Sequence, residues 1–193
     1  NTSAKFAVLD KSPLTGRINY YLSSSHFAIA GKRSGHDAIV IVGKARQPTM
    51  LVVTPEGARF ESAESEWGLG SREASRRVQQ RLGDDGFQVA AIGPAGERLV
   101  HYATISHDAR HAGRGGLGAV MGAKQLKAIA VAGDRRVQYA DRERLVEISK
   151  DLSQRSLGAA TAKYRELGTA SNLLLFNRLG ALPSHNFQPV SYT

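Results

Sequence analysis

Apolar and polar positions alternate along the first part of the chain in the manner of extended segments. Phe6 and Val8 share one face, and residues 16–22 (GRINYYL) are rich in β-formers. Ser12-Pro13-Leu14-Thr15-Gly16 between them reads as a turn. Residues 38–42 (AIVIV) form an unbroken apolar run, which predicts a strand buried on both faces. Residues 49–53 and 58–61 flank Thr54-Pro55-Glu56-Gly57, the pattern of a hairpin.

The period then changes. Ala74, Val78 and Leu82 recur at helical spacing and predict a helix over 72–82, with Ser71 as N-cap and Gly83 as its stop. Two more strands are expected at 87–92 and 98–104, joined by a turn at Gly93-Pro94-Ala95-Gly96. A glycine-rich stretch, a short helix and a strand at 126–132 follow. Beyond Gly133 the pattern is helical: 141–157 with Leu145, Ile148 and Leu152 inward, then 171–179. Strands first and helices last predict an α+β fold with mixed or antiparallel sheets and a helical C-terminal portion. The expected division lies between residues 1–136 and 137–193.

One echo stands out. Residues 31–43 (GKRSGHDAIVIVG) resemble 122–133 (GAKQLKAIAVAG) in order: glycine, basic turn, Ala-Ile strand, closing glycine. A spacing of about 90 residues is too long for a solenoid repeat, so a duplicated lobe is expected. The segments before each copy, 23–28 and 114–119, are then two related loops facing one ligand.

Composition narrows the ligand. The chain has 193 residues, 41% hydrophobic and 22% charged, as soluble domains do. No apolar run reaches the roughly 18 residues of a membrane span, and the opening Asn1-Thr2-Ser3-Ala4 lacks the hydrophobic start of a signal peptide. Opening without Met predicts that a longer protein continues upstream. Without cysteine there is no disulfide, thiolate metal site or cysteine nucleophile, and a cytoplasmic address fits. The net charge of +9 favours anionic partners. Aromatics do not interleave with the basic residues as stacking platforms would, so nucleic acid is not expected and a solvated basic surface is the simpler reading.

The glycine stretch ARHAGRGGLGAVMGAK, 109–124, is the chemical signal. It sets five glycines among three cations and one histidine. Glycine admits close backbone approach, successive free amides suit an anion, and arginine matches phosphate oxygens. A phosphate group is the expected ligand. Gly113-x-Gly115-x-x-Gly118 with Asp134 also matches a dinucleotide fingerprint, but no strand leads directly into it and its helix is short. His107 and His111 have the spacing of a metal pair, which the intervening Arg110 opposes. Asp37 and Asp108 read as turn anchors, Trp67 as packing. No nucleophile, acid–base pair or triad appears, so no residue here is assigned a catalytic role.

Several motifs in order closely resemble the tungsten-dependent aldehyde ferredoxin oxidoreductase family. They are Lys11-Ser12-Pro13-Leu14-Thr15-Gly16, Gly35-His36-Asp37-Ala38-Ile39 with Gly43-Lys44-Ala45, and Gly93-Pro94-Ala95-Gly96-Glu97. Residues 112–124, residues 126–131, Gly168-Thr169-Ala170 and Gly180-Ala181-Leu182-Pro183 with Asn186-Phe187-Gln188 continue the match. The resemblance implies a two-lobed α+β base over 1–136, followed by a helical segment leading into further helical domains. It implies a bis-pterin cofactor holding tungsten, or molybdenum, with magnesium bridging the pterin phosphates. Further, it implies that an aldehyde is oxidised to a carboxylic acid and that electrons leave through a [4Fe–4S] cluster to ferredoxin. Cluster and acid–base residues would belong to the helical domains, not to this chain. A homo-oligomer is left open.

By position in the resemblance, Arg110, Gly113 and Arg114 match cofactor contacts, and His111 stands where the family has an alanine whose carbonyl helps hold magnesium. Lys5 stands for a cofactor-binding arginine, keeping the charge without the fork. Leu22 replaces a magnesium-binding asparagine, Ser24 and Ser25 replace two glycines, and one residue is missing before the glycine stretch. The resemblance thus leaves two readings: altered anchoring of one pterin, or a cofactor-free paralogue serving as a structural or interaction domain.

Overall fold

The computed structural model describes residues 4–83, 86–136 and 138–182. In chain order the strands are β1 (Lys5–Lys11), β2 (Ile18–Ser24), β3 (Thr49–Thr54), β4 (Gly57–Ser62), β5 (Gln88–Ala91), β6 (Ile105–His107), β7 (Arg110–Ala112) and β8 (Leu126–Val131). The helices are α1 (His26–Arg33), α2 (Ser71–Arg81), α3 (Pro94–Glu97), α4 (Leu117–Ala123), α5 (Arg142–Arg155), α6 (Ala159–Glu166) and α7 (Leu173–Arg178). The chain divides into two units, one through Gln138 and one from Tyr139 onward. No helix among the described residues is long and apolar enough to cross a membrane.

The first unit is α+β. Six strands form one mixed sheet in the order β4-β3-β8-β5-β6-β7, with β3 and β8 parallel and the other neighbours antiparallel. β1 and β2 form a separate antiparallel pair. Strand alternation decides which residues face which layer. Met50, Val52, Val89, Ala91, Ala128 and Ala130 bury against Ala74 and Val78 of α2. Leu51, Val53, Ala90, Ile129 and Val131 bury on the opposite face, against Phe27 and Ala30 of α1, Leu117 and Met121 of α4, and Phe6, Val8 and Tyr21 of the β1–β2 pair. That second layer carries the residues of interest.

Several expectations are corrected here. Residues 38–42 form no strand: Val40 and Val42 are 84% and 87% exposed, and only Ile41 packs on the core. An apolar run becomes a strand only when it pairs with a neighbour, and residues 38–42 pair with none of the described strands. The echo is therefore uneven. Both copies start with a helix, α1 and α4, but only the second continues into a strand, β8. Residues 98–104 also form no strand. Leu99 has φ 57°, and the amides of Val100 and Ala103 bond locally to Ala95 and Val100. Residues 94–97, read as a turn, make one turn of helix. Gly70, not Ser71, holds the N-cap position of α2.

The second unit is helical in its described part. Asp141 caps α5 by accepting from the Arg144 amide at 2.8 Å. Leu145, Ile148 and Leu152 remain 40%, 42% and 58% exposed, because no described residue of that unit covers their face. Pro183 and Asn186-Phe187-Gln188, part of the motif series, lie outside the described residues.

Candidate phosphate-binding site

The glycine stretch begins in a tight hairpin. β6 and β7 pair His107 with Arg110, and the two turn residues Asp108 and Ala109 have φ 44° and 56°. Both central residues with positive φ are what a two-residue hairpin needs to match strand twist. His107 and His111 consequently lie on hairpin arms, not on one helix face. His107 is buried, whereas His111 is exposed and its Nδ1 lies 3.0 Å from the Ser106 hydroxyl. No cluster of metal-ligating side chains occurs among the described residues. The dinucleotide geometry is absent too, since β7 is the last strand of the sheet and does not neighbour β8.

After β7 the chain makes a turn of 3-10 helix over Arg114–Gly116 and enters α4. Gly115 and Gly116 have φ 77° and 70°, which explains two of the five glycines. Close packing explains others. A Cβ on Gly116 would overlap the His101 carbonyl, one on Gly118 would lie 2.8 Å from the Ala103 carbonyl oxygen, and one on Gly122 would strike the Gly96 carbonyl. α4 thus rests directly on the backbone of α3 and its neighbours. Gly113 is under no such constraint, with only Thr104 at 3.4 Å.

What remains outward is anion chemistry. No acceptor exists among the described residues for the amides of Gly113, Arg114 and Gly115. Arg110 and Arg114 are exposed, and neither joins an ion pair among the described residues. Asn19 of β2 donates from Nδ2 to the Arg114 carbonyl at 3.1 Å, tying the β1–β2 pair to this turn.

The first loop is built differently. Lys5 and Ser24 face each other in register at the end of the β1–β2 pair, Lys5 exposed and Ser24 half-buried. Leu22, opposite Ala7, is 52% exposed and has no donor atom. Ser25 precedes α1 without capping it, and its buried hydroxyl has no partner among the described residues. The cap comes from elsewhere: Asp108 Oδ2 accepts from the amides of His26 at 2.6 Å and Phe27 at 3.3 Å. The hairpin tip therefore clamps the first loop to the second. Asp108, expected to anchor its own turn, instead caps a helix remote in sequence.

His107 has its ring 4.8 Å from Phe6 in an edge-on contact, and neither ring nitrogen has a partner among the described residues. Burial pushes its pKa down, only partly opposed by the neighbouring Asp108 charge. The folded imidazole gives up its proton more readily than an unfolded histidine, which titrates near about 6.5. Below that pH the unfolded chain binds the extra proton, so stability should fall as pH drops from about 6.5 toward the depressed folded value. His107→Phe should flatten this fall in urea unfolding measured at pH 8 and pH 5. An unchanged pH dependence would show that His107 is not its source.

A buried polar network on the opposite sheet face holds the frame. Lys127 is the extra residue where β8 slips register against β3, between Leu126 and Ala128. Its ammonium, fully buried, bonds the Glu97 carboxylate and the Leu69 carbonyl at 2.8 Å. Glu97 also accepts from the Gly68 amide at 3.0 Å. Sequence periodicity gave no sign of this pair, because a lysine inside a strand pattern reads as solvent-facing.

Comparison with known proteins follows the same residues. Residues 1–133 match the family model described as aldehyde ferredoxin oxidoreductase, N-terminal domain. The chain is 38% identical over 193 residues to the tungsten-containing aldehyde ferredoxin oxidoreductase of Pyrococcus horikoshii, covering 97% of this chain and 31% of that protein. It is 28% identical over 181 residues to the aliphatic sulfonate oxidoreductase, WOR-like subunit, of Pyrococcus furiosus, covering 86% and 29%. Among solved structures, the active site complex BamBC of benzoyl coenzyme A reductase, in complex with 1,5-dienoyl-CoA, superposes with a TM-score of 0.75. That match has 31% identity and covers 78% of this chain and 23% of that one. The chain thus spans about a third of the length of the curated relatives it matches. By this match and by its α+β frame, the chain belongs to the aldehyde ferredoxin oxidoreductase N-terminal domain family.

Proposed function

We propose that this chain is the cofactor-holding domain of a tungsten- or molybdenum-dependent oxidoreductase, and that its role is to anchor a phosphate-bearing pterin. The observation that carries this reading is the turn at 113–115, where three amides have no acceptor among the described residues, in a segment that also carries the exposed Arg110 and Arg114. Amides of this kind and arginine forks suit phosphoryl oxygens. His111 stands beside them on the exposed arm of β7. Lys5 and Ser24 are the donors available at the first loop.

A pterin phosphate fits this donor set at the second loop. Magnesium does not fit at the first, where Leu22 has no oxygen or nitrogen on its side chain, and no role is derived for that ion. When bound, the metal–pterin group would supply two-electron redox chemistry, and this chain would orient it and offset its phosphate charge. Relatives named for aldehydes, for aliphatic sulfonates and for benzoyl coenzyme A share the domain. Substrate choice is therefore assigned to the rest of the polypeptide. In that reading the intact protein is cytoplasmic, oxidises an aldehyde to a carboxylic acid, and passes electrons through a [4Fe–4S] cluster in its helical domains to ferredoxin.

Metal analysis tests the reading. The intact polypeptide from tungstate-supplied cells should contain tungsten and pterin. Protein free of both would overturn it and favour a cofactor-free structural domain, the reading to which Leu22 points.

A further inference from the structure

We infer that this domain anchors phosphate at one loop only, the turn at 113–115, because the carboxylate of Asp108 already takes the amides the first loop would offer. The inference rests on the phosphate-binding reading above and sharpens it. The two loops each lead into a helix, α1 or α4. At both, a helix-opening amide is spent, that of Phe27 on Asp108 and that of Gly118 on the Ala103 carbonyl, and the amides before it differ. At the second loop the amides of Gly113, Arg114 and Gly115 are unspent and two guanidinium groups are exposed. At the first loop the opening amides of α1, from His26 and Phe27, donate to Asp108 Oδ2.

Asp108 is held there by the hairpin it tips, so the carboxylate is a fixed part of the loop. Ser25 donates its amide to the Ala4 carbonyl at 3.1 Å, which places the Lys5 end of β1 next to the start of α1. Lys5 lies at the end of the pair that meets α1, where Asp108 adds a carboxylate with the His26 ring 3.7 Å from it, and Leu22, two residues before Ser24, presents hydrocarbon. A phosphoryl dianion at the first loop would meet a carboxylate and lose its amides. A neutral part of the same ligand would meet no such penalty.

The 193-residue chain titrated with inorganic phosphate, followed by amide NMR shifts, separates the outcomes. Saturable shifts should be confined to Gly113, Arg114 and Gly115. Arg114→Ala should weaken phosphate binding by about tenfold or more, whereas Lys5→Ala should change it by less than about twofold. Both side chains are exposed, so neither variant perturbs the core. Equal saturable shifts at Ser24, Ser25, His26 and Phe27, or equal losses in the two variants, would overturn the single-anchor inference and leave the cofactor reading standing. No saturable shift at either loop would overturn both.

Discussion

Glu97→Ala should lower the unfolding free energy by about 3–5 kcal/mol, since removing one partner of a buried ion pair leaves the other charge uncompensated. Lys127 is fully buried, and among the described residues its ammonium has only the Glu97 carboxylate and the Leu69 carbonyl as hydrogen-bond partners. Burial pulls the Lys127 pKa down, and Glu97 opposes that pull by hydrogen bond and by charge. Without Glu97 the folded state holds its proton still less well, whereas the unfolded lysine keeps it up to about pH 10.4. The unfolded chain then binds more protons, so the deficit should shrink as pH is raised toward that value. The Gly68 amide also loses its acceptor, which loosens the loop leading to α2. Urea unfolding at neutral pH and at pH 9 measures both effects. Replacing the pair together, Glu97→Leu with Lys127→Met, should recover most of the loss, because two buried apolar groups need no partner. A cost below about 1 kcal/mol for Glu97→Ala would mean that water reaches Lys127.

Gly116→Ala should destabilise by roughly 3 kcal/mol and remove phosphate binding together. Two costs add: about 1–2 kcal/mol for a left-handed alanine and about 1–3 kcal/mol for forcing atoms into packed backbone. Gly116 has φ 70°, and its missing Cβ leaves the space occupied by the His101 carbonyl, with Pro13 Cγ 3.2 Å away. Backbone cannot rotate aside as a side chain can, so the turn at 114–116 must move, and the amides it presents move with it. Gly115→Ala is the milder comparison. Its φ is 77°, but its Cβ would meet the Asn19 side chain, which can swing away at the loss of its bond to the Arg114 carbonyl. Gly31→Ala in α1 meets nothing within 4 Å and has no positive φ, so it should stabilise by about 0.5–1 kcal/mol. Thermal unfolding of the three variants orders them. If Gly116→Ala ranks with Gly31→Ala, the close approach to His101 is not a feature of the folded protein.

The elements legible in the sequence share one property: their signal is local. The β3–β4 hairpin was written in Thr54-Pro55-Glu56-Gly57 between two β-rich runs, and the structure pairs Thr54 with Gly57 at the turn. The helix at α2 followed from Ala74 and Val78 at helical spacing, both fully buried. β8 followed from its apolar run between Gly122 and Gly133. α1 was missed because eight residues with two buried positions carry too little periodicity to stand out. Residues 38–42 misled for the opposite reason, since their strong apolar run has no strand beside it to complete a ladder.

Composition and local order determined that this chain is α+β, that it carries a recognisable series of motifs, and that glycine and arginine concentrate between 109 and 124. Those properties depend on residue type and on neighbours a few positions away. The tertiary structure alone decided which glycines pack and which face outward, that Lys127 and Glu97 neutralise each other inside the frame, and that Asp108 reaches 82 residues back along the chain to spend the amides of the first loop. Such contacts join groups remote in sequence, and their energies are set by distance and by exclusion of water, which a one-dimensional pattern does not carry.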